Sequence, residues 1–301
     1  MKVMQAMSTT RNYLNTKLVG ILRTKPQTPK NNAINAIQSA FDTGAQAIEI
    51  TSNSDFWQEV VKECINRNLN IGVGSIKNKE TAEEALSLGA RFLVSPGLFP
   101  QVITVACEKK IPMLPGVYLE SEVKRAKALN ISDQKFFPAN VKTHEELYKA
   151  ISEPFRDEFE DLKKKNWTLT TYNSPEFLSL GNKAPEYIEV TSPTEFYEKY
   201  IILKDQKPYC PIVIKLPEDN KETGFSRVKI FAELSKNWEI RTYAVGGIND
   251  KNIKEVLTKY NVYGVCPGSG MFNGDAIFNG DFERVKNDVR RHVEIVKEIF
   301  G

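Results

Sequence analysis

The chain has 301 residues, enough for one large α/β domain or for a domain of about 200 residues carrying an insertion. Hydrophobic residues make up 41%, and 41 basic residues stand against 38 acidic ones, a net charge of +3. The charges are well mixed, which speaks against a nucleic-acid binder, and no run approaches the roughly 20 apolar residues that a membrane span needs. The first residues, Met1-Lys2-Val3-Met4-Gln5-Ala6-Met7, hold no long apolar stretch, so no signal peptide is expected and a cytoplasmic location is.

Cys64, Cys107, Cys210 and Cys266 show no CxxC spacing and read as buried thiols of a reducing compartment. The two histidines, His144 and His292, are too few for the two- or three-histidine zinc sites of catalysis. No metal and no cofactor is therefore expected. His292 lies in the amphipathic terminal run Arg290-Arg291-His292-Val293-Glu294 and reads as a solvated or capping residue. Lysine and carboxylates are left to do the chemistry.

Short buried strands alternate with helical stretches along the first half of the chain. The strands are Lys17 to Arg23, Ala45 to Thr51, Asn70 to Ser75, Arg91 to Ser95, Ile111 to Leu114, and the run at Lys135-Phe136-Phe137. Helical spacing appears over Asn31 to Asp42, Phe56 to Asn66, Lys79 to Leu88, Gln101 to Glu108 and Ser121 to Leu129. In the second helix Phe56, Val60, Val61, Cys64 and Ile65 are expected to share one face. Two more strands, Glu239 to Val245 and Asn261 to Cys266, follow near the C-terminus.

Eight such βα units predict a (β/α)₈ TIM barrel, with a doubly wound open sheet as the alternative. Between Asn140 and Lys221 the rhythm breaks into charged runs, aromatic patches and two strand-like runs, Tyr187 to Thr191 and Pro211 to Lys215. The expected organisation is a barrel of residues 1–140 and 222–301, with residues 141–221 an inserted subdomain after the sixth strand.

Polar residues at the C-terminal ends of barrel strands face the substrate site. Here they are Arg23, Glu49, Ser75, Ser95, Lys135, Gly246-Gly247 and Gly268-Ser269. Glu49 stands in an apolar strand, where a lone carboxylate is costly. It is either a functional group or one half of a core ion pair, with Arg23 the partner at hand. A lysine facing a barrel interior loses its hydration, which makes a neutral, nucleophilic amine available. Lys135 either does this or points outward with its ammonium in water. Paired glycine turns after the last two strands are where barrels commonly hold phosphate through backbone N–H groups.

These pieces, in this order, resemble the aldolases that act on 2-keto-3-deoxy-6-phosphogluconate, its galactonate epimer and 4-hydroxy-2-oxoglutarate. The matching stretches are Gly20-Ile21-Leu22-Arg23, Ile48-Glu49-Ile50, Gly72-Val73-Gly74-Ser75, Ser95-Pro96-Gly97, Pro115-Gly116, Lys135-Phe136-Phe137-Pro138-Ala139, Ala244-Val245-Gly246-Gly247-Ile248 and Gly268-Ser269. They cover residues 15 to 140 and 222 to 275.

The resemblance implies a metal-free class I aldolase, an aldehyde-lyase, that gives pyruvate and glyceraldehyde 3-phosphate in an Entner–Doudoroff type of sugar-acid breakdown. It makes Lys135 the imine-forming lysine and Glu49 the general acid and base. Arg23, Asn53, Ser75, Pro96 and Phe137 become the substrate-binding set, and Gly246, Gly247, Gly268 and Ser269 the phosphate-binding set. It also implies a homo-oligomer, a trimer, with a phosphorylated keto acid as the small-molecule partner and neither nucleic acid nor membrane.

Three features depart from the family. Asn53 stands where the gluconate-type enzymes carry a carboxylate-binding arginine; Arg23, Ser52-Asn53-Ser54 and Ala244-Val245-Gly246-Gly247 lean toward the galactonate type, whereas Ser95-Pro96-Gly97 and Phe136-Phe137-Pro138-Ala139 lean toward the gluconate type, so both epimers stay open. The insertion has no counterpart. Ile212-Val213-Ile214-Lys215-Leu216-Pro217 supplies a rival lysine, Lys215, before Gly224-Phe225-Ser226, where the family's next helix resumes. A barrel that binds a phosphosugar acid without cleaving it, and a phosphosugar epimerase, are the competing functions.

Overall fold

The computed structural model describes residues 13–117, 120–137, 169–171, 188–190, 212–214, 240–260 and 262–301. Eight parallel strands form one sheet: β1 (Val19–Leu22), β2 (Ala47–Thr51), β3 (Ile71–Gly74), β4 (Leu93–Ser95), β5 (Met113–Val117), β6 (Asp133–Phe136), β10 (Arg241–Val245) and β11 (Gly264–Cys266). They pair in chain order, and the isolated bridge between Leu18 and Val265 joins the last strand to the first. That closure makes the sheet a barrel and sets aside the open doubly wound alternative.

Helices α1 (Lys30–Asp42), α2 (Trp57–Asn66), α3 (Lys79–Ser87), α4 (Pro100–Lys109) and α5 (Glu120–Ala128) follow β1 to β5 in turn, α6 (Ile253–Lys259) follows β10, and α7 (Gly274–Asn279) and α8 (Phe282–Phe300) follow β11. Local chemistry sets their starts. The Asn78 side chain accepts from Thr81 N at 2.8 Å, Pro100 opens α4, and Asn273 and Asp281 cap α7 and α8 by accepting from Ala276 N and Arg284 N. The buried face of α2 is Trp57, Val60, Val61 and Cys64. Phe56, expected on that face, instead takes the N-cap position in a left-handed conformation with its ring exposed, because the chain is still turning out of the β2 loop there.

Between Phe136 and Arg241 three short strands, β7 (Leu169–Thr171), β8 (Ile188–Val190) and β9 (Ile212–Ile214), form a separate parallel sheet in the order β7-β9-β8. Two of them coincide with the strand-like runs of the sequence. Lys215 lies outside the described residues.

The core has two compartments. One lies between strands and helices, with Leu22, Ile37, Ile48, Ile50, Val61 and Phe136 among its fully buried side chains. The other fills the barrel interior with Val19, Ala47, Phe92, Val94, Leu114, Tyr243, Val245 and Cys266. Glycines in the interior match large neighbours: a β-carbon on Gly72 would overlap the Phe92 ring, and one on Gly264 would press on Tyr243. Such alternation of small and large side chains fills a narrow barrel.

The N-terminal mouth of the barrel is closed by polar bonds. Tyr243 Oη donates to Leu14 O at 2.6 Å, and Arg241 pairs with Asp133 at 2.5 Å and reaches Asn15 Oδ1 at 3.2 Å. Of the cysteines, Cys64 and Cys266 are buried as expected, but Cys107 is exposed on α4 and Cys210 lies outside the described residues. His292 is a clearer correction. It is fully buried in α8, on the apolar side of an amphipathic helix, rather than solvated. Among the described residues no helix is long and apolar enough to cross a membrane.

Candidate active site at the C-terminal mouth of the barrel

Strand β6, Asp133-Gln134-Lys135-Phe136, is polar by sequence yet buried throughout. Gln134 turns toward the helix layer and donates to Ile131 O at 3.0 Å, and Phe136 packs in that same layer. Alternation along the strand then sends Lys135 into the barrel. It lies in register with Gly116 on β5 and Tyr243 on β10, and its residue is 5% exposed. The outward-facing alternative is thereby removed. Phe137, at the mouth, places its ring centroid 4.9 Å from Lys135 Nζ.

Glu49 enters the same interior from β2, in register with Ile21 and Gly72, and is 2% exposed. Its side chain lies across Gly74: a β-carbon there would overlap the carboxylate. Oε2 is buried and has no hydrogen-bond partner among the described residues. Burial pushes the Glu49 carboxyl above the usual carboxylate range, against the opposing pull of the Lys135 and Arg23 charges. The two groups thus feel each other across the interior. Cys266, at the end of β11, feels both as well, and burial pushes its thiol far up into the un-ionised form.

Arg23 does not close an ion pair with Glu49. It follows β1, is exposed, and its Nη2 donates to Ser75 Oγ at 3.4 Å. Ser75 follows β3 with φ 61°, a left-handed backbone that costs a non-glycine residue energy and turns the chain at the mouth. Asn53 is exposed on the β2 loop. That loop is stitched to the β1 loop by Ser54, whose Oγ accepts from Thr24 N at 3.1 Å and bonds Thr51 Oγ1 at 2.9 Å. Sequence reasoning passed over this clasp, although Thr51-Ser52-Asn53-Ser54 carries the hydroxyls that form it. Pro96 lies against β5, and a β-carbon on Gly116 would overlap its carbonyl.

The glycine turns follow β10 and β11. Gly246 and Gly247 have φ of 114° and 66°, which only glycine adopts freely, and Gly247 O accepts from Asn252 Nδ2 at 2.8 Å. Gly268 needs no such freedom. A β-carbon there would make only ordinary contact with Ile21, and its carbonyl accepts from Met271 N and Phe272 N. Ser269 is exposed beside it. Nine of the eleven sequence-selected residues lie in the loops that follow the strands, and Glu49 and Lys135 stand inside β2 and β6. Lys135 and Glu49 are buried, and Arg23, Asn53, Gly247 and Ser269 are open to solvent.

Residues 11–160 match the model of the family described as KDPG and KHG aldolase. A 2-dehydro-3-deoxy-phosphogluconate aldolase of Treponema pallidum is 28% identical over 128 residues, 41% of this chain and 60% of that protein. A protein named "Probable 2-dehydro-3-deoxy-6-phosphogalactonate aldolase", from Rhizobium meliloti, is 33% identical over 128 residues, 41% of this chain and 58% of that one. The chain thus matches 60% or less of the length of these curated relatives. A KDPG aldolase from Legionella pneumophila, crystallised with pyruvate as a covalent carbinolamine, superposes with TM-score 0.58 at 17% identity, over 92% of this chain and 94% of that one. A KDPGal structure superposes with TM-score 0.55 at 17% identity, over 94% of this chain and 96% of that one, so both share the fold. Residues 11–160, just under half of the chain, thus resemble the KDPG and KHG aldolase family, and the barrel shares the fold of the solved KDPG aldolases.

Proposed function

We propose that the protein is a class I aldolase that cleaves a 2-keto-3-deoxy-6-phospho sugar acid to pyruvate and glyceraldehyde 3-phosphate. The observation that carries this is the pairing of two buried ionisable groups in one interior: Lys135, and Glu49 with an unpartnered oxygen and a raised carboxyl pKa. The Lys135 amine adds to the C2 ketone, and the carbinolamine loses water to give an imine. Glu49 takes the C4 hydroxyl proton as the C3–C4 bond breaks, and the bond's electron pair enters the imine as an enamine. The enamine is protonated at C3 and the resulting pyruvate imine is hydrolysed, returning Lys135 to the amine.

In this reading Arg23 supplies the charge for the substrate carboxylate that Asn53 lacks, with Ser75, Pro96 and Phe137 around the pyruvyl group. Gly246, Gly247, Gly268 and Ser269 hold the phosphate. The Arg23 to Ser75 bond supports the galactonate epimer, since it puts a guanidinium from the first strand beside a pyruvyl-side hydroxyl. Residues 141–221 are proposed as an inserted subdomain, with β7, β8 and β9 pairing only with one another among the described strands. A trimer in the cytoplasm belongs to the same proposal and follows from the family resemblance.

The test is borohydride reduction of the full chain with pyruvate, followed by peptide mapping, beside a lyase assay on both epimers. A stable adduct on Lys135 with pyruvate release is the expected result. An adduct on Lys215 overturns the lysine assignment. Absence of both adduct and turnover, with the phosphosugar acid still bound, makes the barrel a non-catalytic binder.

A further inference from the structure

The two rims that meet beside the glycine turn after β11 are joined by one ion pair. The ends of β1 and β11 adjoin, with Ile21 N donating to Pro267 O at 2.8 Å, one residue before Gly268. From Gly268 the chain folds back on its own carbonyl, through Met271 N and Phe272 N, and enters α7 under the Asn273 cap. Lys25, in the loop after β1, crosses to this segment. Its side chain lies along Gly274, where a β-carbon would stand 3.1 Å from Lys25 Cε, and its ammonium pairs with Asp275. Both partners are exposed, at 48% and 72% of their side chains, so water screens the pair and little free energy holds it closed.

We propose that Lys25 is the cation that receives the substrate phosphate, and that Asp275 holds it in place when no phosphate is bound. The assignment rests on the aldolase reading for the identity of the substrate, but the phosphate subsite is measurable by itself. The described charge balance at this rim points the same way. Arg23 is turned toward Ser75 and Glu49, the pyruvyl side. The Gly268 turn offers backbone groups and the Ser269 hydroxyl, but no positive charge. Asp275 alone would repel a phosphate dianion; the Lys25 ammonium pairs with it directly, and Arg284 acts on it as the smaller positive influence. Lys25 carries a flexible four-carbon stem, so its ammonium can move from a carboxylate to a phosphate without backbone change. A phosphate dianion outcompetes a single exposed carboxylate for it.

Two substitutions then act with opposite sign. Lys25→Met removes the cation and leaves Asp275 facing the anion. Asp275→Asn frees the lysine. Both sites are exposed, so both variants are expected to fold, and thermal melting checks this. The probe is inorganic phosphate, titrated into the full-length protein and followed by calorimetry or by ³¹P line broadening. Lys25→Met is expected to weaken phosphate about tenfold, the scale of one charge-assisted contact, and Asp275→Asn to tighten it severalfold. In turnover, the preference for a phosphorylated over an unphosphorylated keto acid falls in the first variant and rises in the second. Unchanged phosphate affinity in both variants, or a shift of the same sign in both, overturns the assignment. Normal borohydride trapping with unchanged phosphate binding removes Lys25 from the site and leaves the aldolase reading standing. Failed trapping with the opposite-sign phosphate shifts removes the aldolase reading and leaves the Lys25 site standing.

Discussion

Glu49 occupies the space that a β-carbon on Gly74 would fill. The absent side chain on β3 is therefore part of how the carboxylate on β2 is placed, since Glu49 leans across its neighbour strand and cannot do so over an alanine. Gly74→Ala is expected to push the Glu49 head group aside. Under the proposed mechanism activity should fall by about 10² or more, because a carboxylate out of reach would no longer transfer the proton, while stability falls by about 1–3 kcal/mol from overpacking. Gly116→Ala is the contrasting case. Its β-carbon would overlap the Pro96 carbonyl, which is backbone and cannot rotate away, so the larger drop in melting temperature is expected there. Equal melting temperatures for the two variants would contradict this account.

Glu49 also opposes stability. Burial raises its folded-state pKa above the unfolded value, so ionisation is harder in the fold than in the open chain. The sign follows directly. Below the unfolded carboxyl range the penalty is absent. It accumulates as pH rises through the window up to the raised folded value, and it persists above. Glu49→Gln is therefore expected to raise the melting temperature at neutral pH, to leave it unchanged near pH 3, and to lower kcat by about 10²–10⁴. Thermal melts across pH, set beside the lyase assay, read both effects. A neutral-pH melting point at or below wild type sinks the burial argument.

Much of the barrel was legible because parallel strands with covered faces are short apolar runs separated by amphipathic helices, and those two periods differ. The direction of Lys135 was not legible, for a specific reason. Strand β6 is buried on both faces, and Asp133, Gln134 and Lys135 are all polar, so no alternation of polar and apolar residues marks its inner side. Only the tertiary partners do: Ile131 O for Gln134, and Arg241 for Asp133. Phe56 shows the opposite limit, since its helical spacing is real but the helix begins one residue later. The stretch between β6 and β10 carries an echo that periodicity does not show. Ile188-Glu189-Val190-Thr191-Ser192 repeats Ile48-Glu49-Ile50-Thr51-Ser52 with one conservative change. Strand β8 pairs β9 with Ile188 opposite Ile212, as β2 pairs β3 with Ile48 opposite Ile71.

The pair at the closed end of the barrel is structural. Asp133 is almost wholly buried, Arg241 is its partner, and Asp133 Oδ1 has no hydrogen bond among the described residues. Removing only the arginine leaves a buried carboxylate without its counter-charge, so Arg241→Met is expected to cost about 3–5 kcal/mol. Replacing both, as Asp133→Leu with Arg241→Met, removes the uncompensated charge and should recover most of that loss. Urea unfolding of the single and double variants forms the test. A double variant as unstable as the single one would show that the pair does more than neutralise itself.

The buried histidine in α8 makes acid a lever on the terminal helix. His292 Nδ1 lies 2.8 Å from Asp288 O, and a carbonyl only accepts, so Nδ1 carries the proton. Nε2 is then a bare lone pair, buried and without a partner among the described residues. Protonating it would create a buried N–H with nothing to donate to, and burial accordingly lowers the pKa, against the opposing pull of Asp288 and Asp250. A histidine with a lowered folded pKa stabilises the fold above the unfolded value near 6.5. That contribution is lost as pH falls through the unfolded value toward the folded one. The helix α8 packs on α1, α6 and α7, so its loosening should appear first as faster amide exchange along residues 285–296. His292→Gln keeps a polar side chain but cannot titrate. The expected result is a flat exchange rate for α8 between pH 7 and pH 5 in this variant, against a rising one in the wild type once intrinsic pH dependence is removed. A wild-type helix equally protected at both pH values would show that the fold accommodates the imidazolium.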